Sequence, residues 1–585
     1  MKPDALAVPV SGRPAVAWGS DAIAELLSRL DLPYLSMVPG SSYRGLQDSV
    51  VNYLGNVAPQ IVTCLHEEHS VAIAHGYAKV TGRPMAVGIH SNVGLMHAAM
   101  AVYNAYCDRA PMVLLGATGP LDAAARRPWI DWVHTSADQG ALVRNYVKWD
   151  DQPGSVQAAL EAILRGAVLT RAEPSAPVYI CLDAEIQESP ADAATVIPDP
   201  ARYPVPAPPG PDPSALAAIT AMIAAAERPL LLVGRTERSQ QAWDRRVELA
   251  ERLSACVLTD LRTGASFPSA HPCQPAAPGG GRLTKAGTGL LRASDLVISL
   301  NWIDLGGTLS TAFGDGPRPA VVACRNEGAL LNGWAKDHFS LVPSDIEVTA
   351  SPDRLVMALL AAASPGSQAS RAAWPPPAAP QAAARPEPDG GDILMPGLAR
   401  ALRTAAGRRE ITYTYLPLGW QGEDAGFTGP LDYLGRDGGG GLGSGPGIAV
   451  GAALALDGTG RLPVAVLGDG DYLMGSSALW TAAHHRLPLL VVVANNRAFY
   501  NDVVHQERVA VSRSRPPENK NVGQFLRDPD PDPATIARGH GLTAHGPVTD
   551  PDELGVVLAK AFSQVEAGET VLVDVRVSPH GYAGA

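Results

Sequence analysis

Cysteine is sparse and scattered along the chain. The six residues, at positions 64, 107, 181, 256, 273 and 324, form no Cys-x-x-Cys pair, so neither a zinc site nor a disulfide framework is expected. That usage fits a reducing, cytoplasmic setting. The start, Met1-Lys2-Pro3-Asp4, lacks the charged-then-apolar pattern of an export signal. Apolar runs stop at about ten residues, well short of the roughly 18 that suggest a membrane span, so no membrane partner is expected. Positive charge is also in short supply. Lys and Arg total 46 against 58 Asp and Glu, a net charge of -12, which argues against nucleic acid as a partner. No repeat of the solenoid kind is present.

Glycine and proline, by contrast, are abundant: 59 and 52 residues in a chain of 585 that is 46% hydrophobic and 18% charged. This is the composition of a globular, loop-rich α/β protein, and the length suits about three or four domains. Proline marks two boundaries. Residues 189–213 carry Pro190, Pro198, Pro200, Pro204, Pro206, Pro208, Pro209, Pro211 and Pro213, and residues 364–391 read SPGSQASRAAWPPPAAPQAAARPEPDGG. Both compositions favour extended connectors over packed core. They leave segments 1–188, 214–363 and 392–585, in each of which strand-like and helix-like patterns alternate. The expectation is three doubly wound α/β domains with mostly parallel sheets.

The most informative stretch is Gly468-Asp469-Gly470, followed by the apolar run Leu487 to Ala494 and then Asn495-Asn496. It reads as strand, tight turn, helix, strand, with Val464 to Leu467 as the first strand. Gly-Asp-Gly lets the backbone turn and approach a ligand closely. The following helix would offer free N–H groups to a phosphate. Asp469 and Asn496 supply oxygen ligands of the kind magnesium takes, one from each strand end.

In the first segment an amphipathic helix, Asp21 to Leu30, leads to a strand ending in Val38-Pro39-Gly40-Ser41-Ser42. A strand from Gln60 to Leu65 runs into His66-Glu67-Glu68-His69-Ser70 and a helix rich in small residues. Another strand, Met85 to Ile89, reaches His90, and a helix follows from Leu95 to about Cys107. The carboxyl ends of such strands are where α/β proteins bind ligands.

Glu67 lies nine residues before Gly76 of Gly76-Tyr77-Ala78, and Gly441-Leu442-Gly443 precedes Gly451-Ala452. With the Gly-Asp-Gly to Asn-Asn stretch, these features resemble the thiamine diphosphate-dependent acetohydroxyacid synthase and benzoylformate decarboxylase family. The resemblance spans nearly the whole chain. It implies a pyrimidine-binding domain (1–188), a central domain (214–363) and a diphosphate- and metal-binding domain (392–585).

The resemblance also implies roles. Glu67 would be the acid that exchanges a proton with the cofactor's pyrimidine ring, and Leu442 the wedge that holds the cofactor bent. Gly440, Gly468, Gly470, Asp471 and Asn495 would line the cofactor. Asp469, Asn496 and the backbone carbonyl of Ala498 would hold Mg2+. Ser41 and His90 would face the reacting carbon. Asp502 and His505 would stand in the substrate wall, which points to a polar substrate. Two departures stand out: Asp471 replaces a small residue, and the central segment Asn301-Trp302-Ile303-Asp304-Leu305-Gly306 lacks a second catalytic histidine. His69 and His75 read as interface or helix-surface groups; Arg127 to His134 is another possible pocket rim, although Trp129 and Trp132 read first as core.

The implied activity is decarboxylation of a 2-oxo acid, carboligation to a 2-hydroxyketone, or both. An acetolactate synthase-type transferase and a flavin-linked 2-oxo acid oxidase are the alternatives. FAD is possible, but residues 214–363 carry no clear signature for it. A non-catalytic cofactor-binding protein is the weakest reading, because Glu67 and Asp469 are both present. The implied partners are small 2-oxo acids or aldehydes and further copies of the chain, as a homodimer or homotetramer.

Overall fold

The computed structural model describes residues 10, 12–192, 194–326, 342–362, 372–376 and 393–579. Apart from 372–376, the proline-rich connector expected over 364–391 lies outside the described residues. Among the described residues, the strands form three sheets whose strand pairs are all parallel. The reason is visible in the sequence. Central strands such as Met112–Thr118 and Leu489–Asn495 are continuous apolar runs, buried at every position, as strands covered on both faces must be.

The first sheet contains β1 (Tyr34–Met37), β2 (Gln60–Thr63), β3 (Ala86–Ile89), β4 (Met112–Thr118), β5 (Trp149–Asp151) and β6 (Pro177–Asp183), in the order β2-β1-β3-β4-β6-β5. The second contains β7 (Pro229–Val233), β8 (Cys256–Thr259), β9 (Leu296–Leu300), β10 (Ala320–Arg325) and β11 (Ile346–Thr349), ordered β11-β10-β9-β7-β8. The third contains β12 (Ile411–Tyr415), β13 (Leu462–Gly468), β14 (Leu489–Asn495), β15 (Thr543–Val548) and β16 (Thr570–Arg576), ordered β12-β13-β14-β16-β15. In the first sheet the strand order reverses between β1 and β3. Such a switch point opens a crevice at the carboxyl ends of the strands.

Seven helices position the site: α1 (Gly19–Arg29), α2 (Glu67–Thr81), α3 (Ser91–Cys107), α4 (Gly445–Leu456), α5 (Asp469–Gly475), α6 (Ala478–His485) and α7 (Tyr500–Ser512). Helix α2 belongs to the first domain and α4 to the third, and the two cross in direct backbone contact. Gly76 lies against the Ile448 carbonyl and Gly451 against the Ile73 carbonyl, so closely that a methyl group on either glycine would collide with backbone. One apolar core therefore runs through both domains, with Val71, Ile73, Ile448, Val450 and Leu467 among its members.

Two local expectations change. Helix α3 begins at Ser91 rather than Leu95, directly after His90. The stretch after β13 is two helices rather than one, interrupted at Ser476-Ser477. The Gly-Asp-Gly turn needs no left-handed glycine: Gly468 has φ -69° and caps a helix that starts at Asp469. Gly470 is required by packing instead, because a Cβ there would strike the Phe499 ring.

Candidate active site

The ends of β13 and β14 lie side by side, with Gly468 in register with Ala494. This puts Asp469 and Asn496 at neighbouring strand ends. Asp469 Oδ2 accepts the Ala498 N–H at 3.2 Å, and Asn496 Oδ1 accepts the same N–H at 2.9 Å. The turn that allows this passes through Arg497 in the left-handed region, φ 57°. Burial pushes the Asp469 carboxyl up to about 6, against the pull of the Gly470, Arg497 and Ala498 N–H groups. A buried carboxylate with no cationic partner among the described residues, beside an amide oxygen, is an all-oxygen set that fits a hard cation such as Mg2+.

Asn495 is held by its neighbours in the third sheet. Its Nδ2 donates to Asp574 Oδ1 at 2.9 Å, and its Oδ1 accepts the Arg497 N–H at 3.2 Å. The side chain is fully buried and braces β14 against β16.

The Leu442 loop is fastened on both sides. Gly441 is paired with Asn104 of α3: its N–H donates to Asn104 Oδ1 and its carbonyl accepts from Asn104 Nδ2, each at 3.3 Å. Asp437 Oδ1 accepts the Gly440 N–H at 2.9 Å, where Gly440 has φ +74°. On the other side Asp471 Oδ1 accepts the Gly443 N–H at 2.6 Å, and its Oδ2 lies against Gly445. Between these anchors Leu442 remains 40% exposed, a rigidly held apolar projection. The unusual Asp471 thus reaches the Leu442 loop. Burial pushes its carboxyl up to about 7, with Asp437 and Glu68 adding to the rise and the Gly443 N–H opposing it.

Glu67 opens α2, whose N-terminus is capped by His66 Nδ1 accepting the Glu68 N–H at 3.2 Å. The Glu67 carboxyl is buried against α3, where Gly94 leaves room for it. Its Oε2 is 3.1 Å from His97 Nδ1. His69 and His75, expected at an interface or on a helix surface, are both buried. His69 Nε2 pairs with Ser477 Oγ of the third domain at 2.8 Å, and burial lowers its pKa to about 4. His75 Nε2 pairs with Asp108 Oδ2 at 2.7 Å.

His90 leaves β3 at the β1/β3 switch point. Its Nδ1 is 2.9 Å from the hydroxyl of Ser42, which also accepts the Ser91 N–H at 3.2 Å. Because the hydroxyl has one donor and two acceptor sites, this contact is made with either tautomer of the His90 ring. Ser41 is exposed, while Ser42 is buried. Burial lowers the pKa of His90, and His134, packed edge-on at 4.8 Å, lowers it further. Trp129 and Trp132, expected in a core, are each 78% exposed, Trp129 on the loop before the one-turn helix Asp131–His134 and Trp132 within it. His505 and Asp502 are exposed on α7. Trp302 is buried, donating from Nε1 to Thr308 Oγ1 at 2.9 Å.

A cavity of about 400 Å3 lies elsewhere, at the far end of α2 from Glu67, where Lys79, Arg238, Asn301 and Asp353 line it. It belongs to the junction with the central domain and takes no part in the grouping above. Sequence reasoning missed Ser42, His97, Asn104 and Asp437. Only the left-handed glycines around Leu442 hint at such fastening.

The three parallel-sheet domains and the oxygen-rich strand ends define a multidomain cofactor enzyme. Models of the thiamine pyrophosphate enzymes match in all three parts: the N-terminal TPP binding domain over residues 17–142, the central domain over 216–313 and the C-terminal TPP binding domain over 419–575. The chain belongs to the thiamine pyrophosphate enzyme family. It is 27% identical over 454 residues to a benzoylformate decarboxylase of Pseudomonas aeruginosa, covering 74% of this chain and 78% of that one. It is 25% identical over 574 residues to a probable 2-ketoarginine decarboxylase of the same organism, covering 93% and 91%. The fold matches the Rhodococcus jostii thiamine diphosphate-dependent 4-hydroxybenzoylformate decarboxylase with a TM-score of 0.76 at 20% identity, over 96% of this chain and 99% of that one.

Proposed function

We propose that this chain is a thiamine diphosphate- and Mg2+-dependent enzyme that decarboxylates a 2-oxo acid, giving an aldehyde or, with a second carbonyl compound, a 2-hydroxyketone. The observation that carries the reading is the convergence of Asp469 Oδ2 and Asn496 Oδ1 on one backbone N–H at adjoining strand ends. The cofactor, when bound, supplies a nucleophilic carbon and an electron sink. The chain's own residues do the rest. Asp469, Asn496 and the Ala498 carbonyl hold Mg2+. Gly440, Gly468 and Gly470 give the backbone room beside the diphosphate, and Leu442 shapes the cofactor's seat. Glu67 holds and moves a proton at its carboxyl. His90 and Ser41 orient the substrate's oxygens. The relatives named as decarboxylases support this class of reaction.

The active form in this reading is a homodimer or homotetramer, with Glu67 of one subunit meeting the metal site of another. Within the single chain Glu67 turns toward α3, where its Oε2 meets His97 Nδ1. Closed symmetry is the general rule for such assemblies. A cytoplasmic location belongs to the same proposal. None of the six cysteines is in a disulfide, and no helix among the described residues is long and apolar enough to cross a membrane.

The test is a panel of 2-oxo acids and aldehydes with thiamine diphosphate and Mg2+, reading carbon dioxide and carbonyl products together. With Asp502 and His505 in the substrate wall, polar 2-oxo acids are turned over faster than benzoylformate. If cofactor binds and no member of the panel yields either product, the reading is wrong. A yellow protein that consumes oxygen with a 2-oxo acid would replace it with the flavin-linked oxidase.

A further inference from the structure

Glu67 is buried, yet the reading above asks it to gain and lose a proton repeatedly. Its carboxyl packs against α3 and leaves only a small part of the side chain open to water. His97 provides another route. Its Nδ1 is 3.1 Å from Glu67 Oε2, and its side chain is 59% exposed. Three residues separate it from Gly94, so both stand on the same face of α3, one making room for the carboxyl and the other bonding it. The His97 ring is also fixed from behind. It stacks on His66 at 4.8 Å with 16° between the planes. His66 is in turn locked, because its Nδ1 caps α2 through the Glu68 N–H. Near-parallel rings carry their nitrogen lone pairs side by side, so this His66, Glu67 and His97 group is poorly arranged to converge on a metal ion.

We propose that His97 is a proton relay between Glu67 and solvent. A proton leaves Glu67 Oε2 for His97 Nδ1 as the opposite nitrogen, Nε2, releases one to water; the reverse sequence recharges the carboxyl. No oxidant or further reactant is involved. Imidazole suits the task because it accepts at one nitrogen while donating at the other. His97 acts through Glu67, so it is a positioning and relay group rather than a catalytic residue. The inference rests on the proposed role of Glu67.

The test uses the full-length protein loaded with thiamine diphosphate and Mg2+, and reads deuterium exchange at C2 of the bound cofactor together with cofactor affinity by calorimetry. His97→Asn keeps a hydrogen-bond donor to Glu67 but cannot relay. It slows exchange tenfold or more while affinity stays within twofold. His97→Ala is equally slow, and added imidazole restores at least part of the rate. Wild-type exchange in His97→Asn would reduce His97 to a simple hydrogen-bond donor and overturn the relay. A loss of cofactor affinity that accounts for the whole effect would make it a binding group, which also overturns the relay. Glu67→Gln is measured alongside. If it exchanges at the wild-type rate, the role assigned to Glu67 fails; if it is slow while His97→Asn is not, only the relay fails.

Discussion

Ser42 Oγ stands 2.9 Å from His90 Nδ1, reaching across 48 residues of sequence from the end of β1 to the end of β3. The bond fixes the ring's orientation, and the same hydroxyl accepts the Ser91 N–H. Ser42→Ala removes both. A buried hydrogen bond of this kind contributes about 1 kcal/mol, roughly a fivefold change in an equilibrium constant. The expected outcome is a drop of about that size or somewhat more in kcat, with little change in KM. Ser41→Ala, at the exposed neighbour, acts on KM instead. Steady-state kinetics on both variants with the best substrate from the panel checks the contrast, and equal profiles would contradict it.

Gly40→Ala gives a sharper test of the same corner. A methyl group at Gly40 would collide with the His90 ring. The ring must then swing off Ser42, because the β1 loop is held by Ser42 and Gln187 behind it. Activity is expected to fall at least tenfold, more than in Ser42→Ala, with cofactor affinity unchanged. Gly154→Ala, where a methyl meets open space, serves as the control. Kinetics together with calorimetric titration of thiamine diphosphate separate the two effects.

The sequence announces what is local and hides what is not. Asp469 and Asn496 are legible because each sits a residue or so past a fully apolar run, and that pattern survives without knowing the fold. Glu67 is legible from its distance to the Gly-Tyr-Ala helix segment. The parallel sheets are legible because strands such as Met112–Thr118 carry no polar alternation. Ser42, His97 and Asn104 are illegible for one shared reason. Their partners lie 48, 30 and 337 residues away, and no spacing rule connects them. Asp471 is an intermediate case. The sequence marks it as out of place beside a diphosphate, and only the fold supplies the Gly443 N–H it reaches. Trp129 and Trp132 read as core by residue type, yet stand exposed in the segment before His134.

Asp469 and Asp471 make stability depend on pH. Their folded values, about 6 and about 7, lie above the usual Asp value of 3.8. Between those limits the folded state binds more protons than the unfolded state. The sign follows: the contribution to stability is fully present below about pH 4 and is lost as pH rises through about 7. Protein free of cofactor and metal is therefore expected to lose denaturant resistance between about pH 4 and 7 from these two groups. Asp471→Asn, which keeps an oxygen for the Gly443 N–H, flattens the loss. Mg2+ with thiamine diphosphate is expected to reverse the Asp469 share by meeting its charge. Urea melts across that pH range, with and without cofactor, check both statements; a stability that rises with pH in Asp471→Asn and wild type alike would refute the assignment.

The crossing of α2 and α4 sets how the first and third domains meet, and Gly451 is its tightest point. A Cβ there would strike the Ile73 carbonyl, a backbone atom that cannot rotate aside. Gly451→Ala must push the helices apart, and overpacking of this kind costs about 1–3 kcal/mol. Helix propensity works the other way, favouring alanine by up to about 1 kcal/mol, so the packing term decides the sign. Gly555→Ala, in the exposed helix Pro551–Glu566, meets nothing within 4 Å and isolates the propensity term. Urea unfolding is expected to show Gly451→Ala destabilised and Gly555→Ala unchanged or slightly stabilised. Separation of α2 from α4 also shifts Glu67 relative to the Leu442 loop, because both helices begin at those residues' doorstep. Gly451→Ala should therefore lose activity at urea concentrations where the fold persists. Activity that falls only in step with global unfolding would show that the crossing supports the fold without positioning the site.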